Sequence, residues 1–154
     1  LDRHWNLVMH NRLVPLLLAG VAPELLTPPV NVLRLSLHPR GLAPRIANLG
    51  QWREHLLERL RQQIHHSGDP VLAALLQELK AQPMPEDSPR LQGEHLGVLM
   101  PFHFVTEAGM LNLVSTTTVF GSPVDVTLQE LALETFFPAD EATAQALRAL
   151  AATA

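Results

Sequence analysis

Residues 98–120 read VLMPFHFVTEAGMLNLVSTTTVF, and this stretch decides the fold class because its apolar residues recur with a period of two. Phe102 and Phe104 fall on one face of an extended chain, as they would in a strand with one buried side. Gly109 tolerates positive φ, which suits a tight turn before a second strand. The run at 114–120, rich in β-branched residues, fits a pleated sheet better than a helix. The stretch therefore predicts neighbouring strands of an antiparallel meander.

The chain before this stretch has a helical period instead. Apolar residues at spacings of three and four predict a long helix from about Asn48 to Ile64. Asp69 followed by Pro70 is an N-cap with proline at the first helical position, and it predicts a second helix that ends before Pro83. Because helices and strands occupy separate parts of the chain, we expect an α+β fold, formed as a single domain over residues 1–154.

Several other segments carry weaker patterns. Residues 4–10 alternate and predict a strand, after which Asn11 is placed to cap a short helix over residues 12–19. The Pro-rich polar residues 83–93 predict a surface loop, and Asp140 is placed to cap a last helix. Two segments fit a helix and a strand equally well: residues 30–37 and residues 124–137.

The composition of the 154 residues excludes several classes of protein. Cysteine is absent, which excludes disulfides, cysteine-ligated zinc, iron–sulfur clusters and thiol nucleophiles. The net charge of −4 argues against nucleic-acid binding through the overall field of the domain. No run approaches the roughly 18 apolar residues that a membrane-spanning helix needs, and no signal peptide is visible. We therefore expect a cytoplasmic protein without membrane contact.

The sequence contains no recognisable catalytic motif. Gly-x-Ser-x-Gly and Gly-rich phosphate loops are missing, and the eight histidines lack metal-ligand spacing. His65 and His66 are adjacent at a predicted helix end, where their side chains diverge and are more simply explained by solvation. A haem ligand at His38 or His55 is a minor alternative. We expect a protein that is not an enzyme and that binds no metal.

Charge is distributed unevenly along the chain. Residues 38–66 contain five Arg and two Glu, whereas residues 121–141 contain five acidic residues and no basic one. This pattern allows a basic helix face to meet an acidic sheet edge, within the fold or between subunits. Ordinary solvated faces are the simpler interpretation.

Two long segments resemble a known family. The first is LRLSLHPRGLAPRIANL at 33–49, and the second combines STTTVFG at 115–121, PVDVT at 123–127 and FFPAD at 136–140. Both are similar to the C-terminal ligand-binding domain of MmyB-like bacterial transcription regulators. The similarity extends nearly from end to end, beginning at Asp2.

The resemblance implies a PAS-like domain, with an antiparallel sheet of about five strands, helices on one face and a ligand cavity. It implies a fatty-acid-like apolar ligand, no other cofactor and no catalytic residue. DNA would be contacted only through an N-terminal helix-turn-helix domain that this chain lacks. The absent initial Met and the acidic pI of about 6.0 are expected of such a severed sensor domain.

The residues of a ligand pocket are inferred from periodicity, with a plain packed core as the alternative. The apolar tail would contact one helix face and the sheet, through Trp52, Leu56, Leu60, Phe102, Phe104, Val114, Thr116 and Phe120. The head group would meet one of three polar side chains: His55, Arg53 or Arg45. The alternative function is a ligand-free dimerisation module of the same regulator, which would make the domain a homodimer.

Overall fold

Five α-helices and three β-strands are formed by the residues that the computed structural model describes, which are 1–83, 100–107, 109–119 and 131–153. In chain order the elements are α1 (Val14–Leu17), α2 (Val32–Leu37), α3 (Leu49–Ser67), α4 (Pro70–Ala81), β1 (Met100–Thr106), β2 (Gly109–Val119), β3 (Ala132–Pro138) and α5 (Glu141–Thr153). Two short 3-10 helices precede α2 and α3, at Pro23–Leu26 and Ala43–Arg45. The loop predicted at 83–93 lies almost wholly outside the described residues.

The helical pair α3–α4 forms where the apolar period predicted it. Gly68 ends α3 with φ of 64°, and its N–H donates to the carbonyl of Ile64 at 2.8 Å. The Asp69 carboxylate then accepts from the N–H of Val71 at 2.8 Å, which caps α4. The apolar stripes of both helices are buried, at Leu49, Trp52, Leu56, Leu57, Leu60, Leu72, Leu75, Leu76 and Leu79. Both predicted helices are confirmed.

The strands form an antiparallel sheet in the order β1-β2-β3. Thr106 pairs with Gly109 across a tight hairpin, where Gly109 has φ of 117°. This register places Phe102 opposite Leu113. Because alternate residues share a face, one side of the sheet, here called the inner face, carries Phe102, Phe104, Leu111, Leu113, Ser115, Thr117, Glu134 and Phe136. The opposite side, here called the outer face, carries the alternate residues, among them Pro101, His103, Met110, Asn112, Val114, Thr116, Leu133, Thr135 and Phe137.

The core lies between the inner face and the helices. Leu60 of α3 is completely buried, and Phe104 and Leu111 of the sheet belong to the same cluster. A short segment before α3 also joins the edge of the sheet, since Ile46 forms a bridge with Phe104 and Ala47 donates to the carbonyl of His103 at 2.9 Å. Helix α3 is thereby fixed beside β1.

The strand predicted at residues 4–10 is wrong. The Asp2 carboxylate accepts from the backbone N–H groups of His4 and Asn6 at 2.9 and 2.8 Å, and Trp5 has φ of 68°. These side-chain hydrogen bonds satisfy the backbone in a turn, and among the described residues the segment pairs only through one antiparallel bridge, between Asn6 and Asn31. Met9, in the same segment, is 83% exposed.

The two ambiguous segments take different structures. Asn31 accepts from the N–H of Arg34 at 3.2 Å and caps α2, so residues 32–37 are helical. Residues 132–138 form β3, whereas residues 124–130 lie outside the description. The α+β class is confirmed. The described sheet has three strands, so the expected five are not confirmed.

The last helix begins where Asp140 was expected to cap it. The Asp140 carboxylate accepts from the N–H of Thr143 at 2.7 Å and from the side-chain amide of Asn112 at 2.8 Å. Thr143 in turn accepts from the N–H of Asn112 at 3.0 Å, which joins α5 to β2. The predicted cap is confirmed.

We expect Asp140→Ala to lower the Tm by a few degrees and to speed amide exchange in the first turn of α5. The backbone hydrogen bond from Thr143, followed by that from Asn112, lowers the pKa of Asp140 below 3.8. Its contribution to stability is therefore present above that pH and is lost as the pH falls through the lowered pKa. Asp140→Asn keeps an oxygen acceptor and is the control. Equal melting curves for Asp140→Ala and wild type at neutral pH would contradict the cap.

Candidate functional site

Three aromatic rings meet where α3 crosses the inner face of the sheet, and they are called the aromatic cluster here: Trp52, Phe102 and Phe136. The Trp52 and Phe102 ring centres are 4.6 Å apart, and Phe136 lies 5.2 Å from Phe102 and 6.2 Å from Trp52. Trp52 is buried, whereas Phe136 is 40% exposed. The cluster therefore extends the core to an apolar surface at β3.

A polar group lies beside these rings on the inner face, and it is called the carboxylate cluster: Glu134, Ser115, Thr117 and Arg59. Glu134 Oε2 accepts from the Thr117 hydroxyl at 2.7 Å and from Arg59 Nη1 at 3.2 Å, and Oε1 accepts from the Ser115 hydroxyl. The side chain of Glu134 is only 14% exposed. Its negative charge is compensated by one guanidinium and two hydroxyl donors, as burial requires.

Arg59 is held from a second side. Its guanidinium carbon lies 4.6 Å from the centre of the Trp5 ring, a cation–π contact. The Trp5 indole N–H donates to the side-chain oxygen of Gln63 at 2.8 Å, and Gln63 lies one turn after Arg59 on α3. The orientation of Arg59 toward Glu134 is thus fixed by the N-terminal segment as well as by α3.

His55 lies one turn before Arg59 on the same helix, 5.8 Å from the Trp52 ring centre. Burial lowers the pKa of His55, and the positive charge of Arg59 lowers it further, whereas Glu134 opposes the shift. The imidazole is therefore neutral at neutral pH and offers one donor and one acceptor nitrogen.

Acidification is expected to destabilise the domain partly through His55. Because the pKa of His55 in the folded protein lies below the usual 6.5, the folded protein binds a proton at His55 less readily than the unfolded chain does. Stability present above that value is therefore lost as the pH falls toward the lowered pKa. We expect His55→Gln to lose less Tm than wild type between about pH 7.5 and about pH 5.5. The exposed His66→Gln is the control, and equal losses in all three proteins would contradict the shift.

The structure brings together five of the residues predicted for the tail of a ligand. Trp52, Leu56 and Leu60 of α3 lie in one buried cluster with Phe102 and Phe104 of β1. In the described residues these side chains pack against one another as core.

The prediction that Val114 and Thr116 share this wall is wrong. Val114 pairs with Pro101 and Thr116 with Thr135, which places both on the outer face. The β-branched run indicated a strand, but it did not indicate which of the two faces is buried. Alternate residues of a strand point to opposite faces, and residues of the same type stand on both faces of this run. Phe120 lies outside the described residues.

Two of the three predicted head-group residues bind backbone carbonyls instead. Arg45 Nη1 donates to the carbonyls of Leu17 and Ala19 at 2.9 and 3.0 Å, and its guanidinium lies 4.4 Å from the centre of the Phe104 ring. Among the three, His55 is the one that the structure places beside the carboxylate cluster.

Arg53 is turned toward α4. Its Nη2 donates to the carbonyls of Leu79 and Lys80 at 3.2 and 2.9 Å, where α4 ends. A guanidinium at a helix C-terminus satisfies carbonyls that lack helical partners. Arg53 therefore stabilises the α3–α4 pair, and no ligand contact is needed to explain it.

The residues predicted for the site did not include the members of the carboxylate cluster: Arg59, Ser115, Thr117 and Glu134. The hairpin carried a signal for two of them. Since Thr106 pairs with Gly109, Phe102 lies opposite Leu113, and the alternate residues Ser115 and Thr117 lie on the same inner face. The ion pair between Arg59 and Glu134 also joins the basic segment to the acidic one, so the alternative of a contact between the two segments, rather than the simpler solvated faces, holds within the fold at this point.

Among the described residues, no group of three or more His, Cys, Asp or Glu side chains is placed to hold a metal ion. In the same part of the chain, no helix is both long and apolar enough to span a membrane.

A comparison with family models places the chain. The model of the MmyB-like transcription regulator ligand binding domain matches residues 1–150. Neither the curated proteins nor the solved structures give a significant match. Since the family model covers nearly every residue, including α3, the sheet and most of α5, this chain belongs to the MmyB-like transcription regulator ligand-binding domain family.

Proposed function

We propose that this domain is the sensor of a bacterial transcription regulator and binds a small apolar, fatty-acid-like effector. The observation that carries the proposal is the contact zone of α3 and β3, where the partly exposed aromatic cluster borders the carboxylate cluster. An apolar surface beside a few fixed polar groups suits a molecule with an apolar tail and a polar head. The family of ligand-binding domains to which the chain belongs supports the same role.

The effector would act by shifting the position of α3 against the sheet. A ligand changes a conformational equilibrium only when it binds two states with different affinity. Trp52 and Arg59 on α3 and Glu134 and Phe136 on β3 contact each other across this boundary. A ligand seated there would alter these contacts directly, and a DNA-binding domain linked to this one would respond to the change.

Native mass spectrometry and lipid extraction of the purified domain test the proposal. We expect an apolar molecule to co-purify, or to bind on titration with amphiphiles. Phe136→Ala should weaken this binding, because it removes the exposed edge of the aromatic cluster. Phe137→Ala is the matched control, since the neighbouring side chain lies on the outer face and is also exposed. Absence of any bound or titratable amphiphile, or equal losses in both variants, would contradict the proposal.

A second candidate function is a ligand-free dimerisation module. The outer face exposes large apolar side chains, with Met110, Leu133 and Phe137 each at least 52% exposed. Exposed apolar surface of this kind is a common feature of protein interfaces. Analytical ultracentrifugation distinguishes the candidates, because Phe137→Glu would dissociate a dimer built on this face. A monomer at all concentrations would exclude the second candidate.

A further inference from the structure

Arg59 uses few of its hydrogen-bond donors within the fold. A guanidinium carries N–H donors on each of its nitrogens. Among the described residues, Arg59 donates only from Nη1, to Glu134 Oε2 at 3.2 Å. Arg34, by contrast, donates from Nε and Nη2 to both carboxylate oxygens of Glu78, at 2.7 and 2.8 Å. In the part of the chain that the structure describes, Nε and Nη2 of Arg59 are therefore open to a further acceptor.

These open nitrogens can be reached from solvent. The Arg59 side chain is 24% exposed. Among the described residues, the side-chain nitrogens that are both sealed from solvent and without a partner belong to Trp52 and Arg53, so those of Arg59 are not sealed. Trp5 covers one flat face of the guanidinium, 4.6 Å from its ring centre, and such stacking leaves the N–H edges free. A ligand group can thus approach Arg59 in the plane of the guanidinium.

Arg59 lies on the same side of α3 as the apolar part of the candidate site. Trp52, His55 and Arg59 follow one another at spacings of three and four residues, which places them along one side of the helix. On β3, Phe136 lies 6.2 Å from the Trp52 ring, and Glu134 binds Arg59 on the same inner face. Trp52 and Arg59 are about 10 Å apart along the helix, since each residue adds about 1.5 Å. An apolar chain seated on the aromatic cluster would therefore end near Arg59.

From these observations we infer that Arg59 binds the carboxylate of the effector and makes the site selective for acyl chains that end in a free carboxylate. The inference rests on the proposed function and specifies its head-group contact. A planar carboxylate matches two N–H donors of one guanidinium. At low solvent exposure the two charges attract each other more strongly than in bulk water. Glu134 keeps the hydroxyl donors of Ser115 and Thr117, so the effector takes donors that Glu134 does not use.

Isothermal titration of the whole domain with matched probes tests the inference. Saturated chains of graded length are supplied as the carboxylate and as the primary alcohol, below their aggregation concentrations and at about pH 7.5, where the acid is ionised. We expect the carboxylate to bind about tenfold or more tightly than the alcohol of equal length, although the alcohol is the more apolar molecule. An alcohol that binds as well as its carboxylate overturns the inference but leaves the proposed function intact. Failure of every probe to bind overturns both.

Arg59→Met tests the residue that is held responsible. The substitution removes the guanidinium, so carboxylates should bind about tenfold or more weakly, whereas alcohols should keep their affinity. Arg61→Met removes an exposed guanidinium from the same helix and should change neither. Equal losses for carboxylates and alcohols in Arg59→Met would show that Arg59 only supports the fold, which contradicts the inference. Arg59→Lys keeps the charge without the fork of donors. If Arg59→Met fails to fold, an undiminished preference for carboxylates in Arg59→Lys overturns the inference.

Discussion

Asn48→Ala is expected to lower the free energy of unfolding by about 3 kcal/mol, since two backbone groups lose buried partners and each costs about 1–3 kcal/mol. Asn48 is completely buried. Its amide nitrogen donates to the carbonyl of Pro101 at 2.8 Å, and its oxygen accepts from the N–H of His103 at 3.0 Å. The side chain thus joins the start of α3 to β1. Alanine can form neither hydrogen bond, and because the position is buried, water cannot replace the lost partners.

Urea denaturation and hydrogen exchange measure the effect. The amide of His103 should lose most of its protection, because its acceptor is removed. Asn11→Ala is the matched control: Asn11 also accepts from backbone N–H groups, those of Leu13 and Val14, but it is exposed. A loss at Asn48 no larger than that at Asn11 would contradict the role of Asn48 as the link between helix and sheet.

The second large effect is expected for Arg59→Met, which keeps most of the side-chain length and removes the charge. Glu134, whose side chain is 14% exposed, would then keep its two hydroxyl donors but lose its only ion-pair partner among the described residues, the Arg59 guanidinium. Removing one partner of a buried ion pair costs about 3–5 kcal/mol. Because Arg59 is 24% exposed, solvent reduces the effect, and we expect a loss of about 2 kcal/mol.

A double-mutant cycle separates the ion pair from the packing of Arg59 on Trp5. Arg59→Met with Glu134→Gln should recover part of the loss, with a coupling energy of about 1 kcal/mol or more. Arg61→Met is the control, since Arg61 forms an exposed ion pair with Glu58 on the same helix and should change stability little. Additive losses in the cycle would show that Arg59 acts through Trp5 alone.

Both predictions concern the same boundary between α3 and the sheet. Asn48 fixes the start of α3 to β1, and Arg59 fixes its middle to β3. A ligand bound between these two contacts would change the position of α3 relative to the sheet and therefore change both hydrogen bonds. The stability effects of Asn48 and Arg59 are therefore expected to change when an amphiphile is bound, whereas that of Arg61 should not.

Much of the fold could be predicted because its signals are local. The leucine stripe of α3, the Asp69–Pro70 start of α4 and the turn at Gly109 each depend on residues adjacent in sequence. The family could likewise be predicted, since long segments such as 33–49 carry the resemblance and the family model matches residues 1–150.

Local signals failed where a side chain competes with the backbone. Residues 4–10 alternate like a strand, but the carboxylate of Asp2 accepts from the N–H groups of His4 and Asn6 and turns the chain. Alternation also left open which face of β2 is buried, so Val114 and Thr116 were placed on the wrong side. A shift of one residue exchanges the two faces of a strand, and only pairing with β1 settles the choice.

The sequence by itself determined the helices α3 and α4, the hairpin and the family of this protein. The tertiary structure alone decided the candidate site, because Arg59 and Glu134 are 75 residues apart and meet only when α3 lies across β3. It also assigned Arg45 and Arg53 to backbone carbonyls. A charged side chain has many possible partners along a chain, and folding selects those that leave the fewest buried charges unpaired.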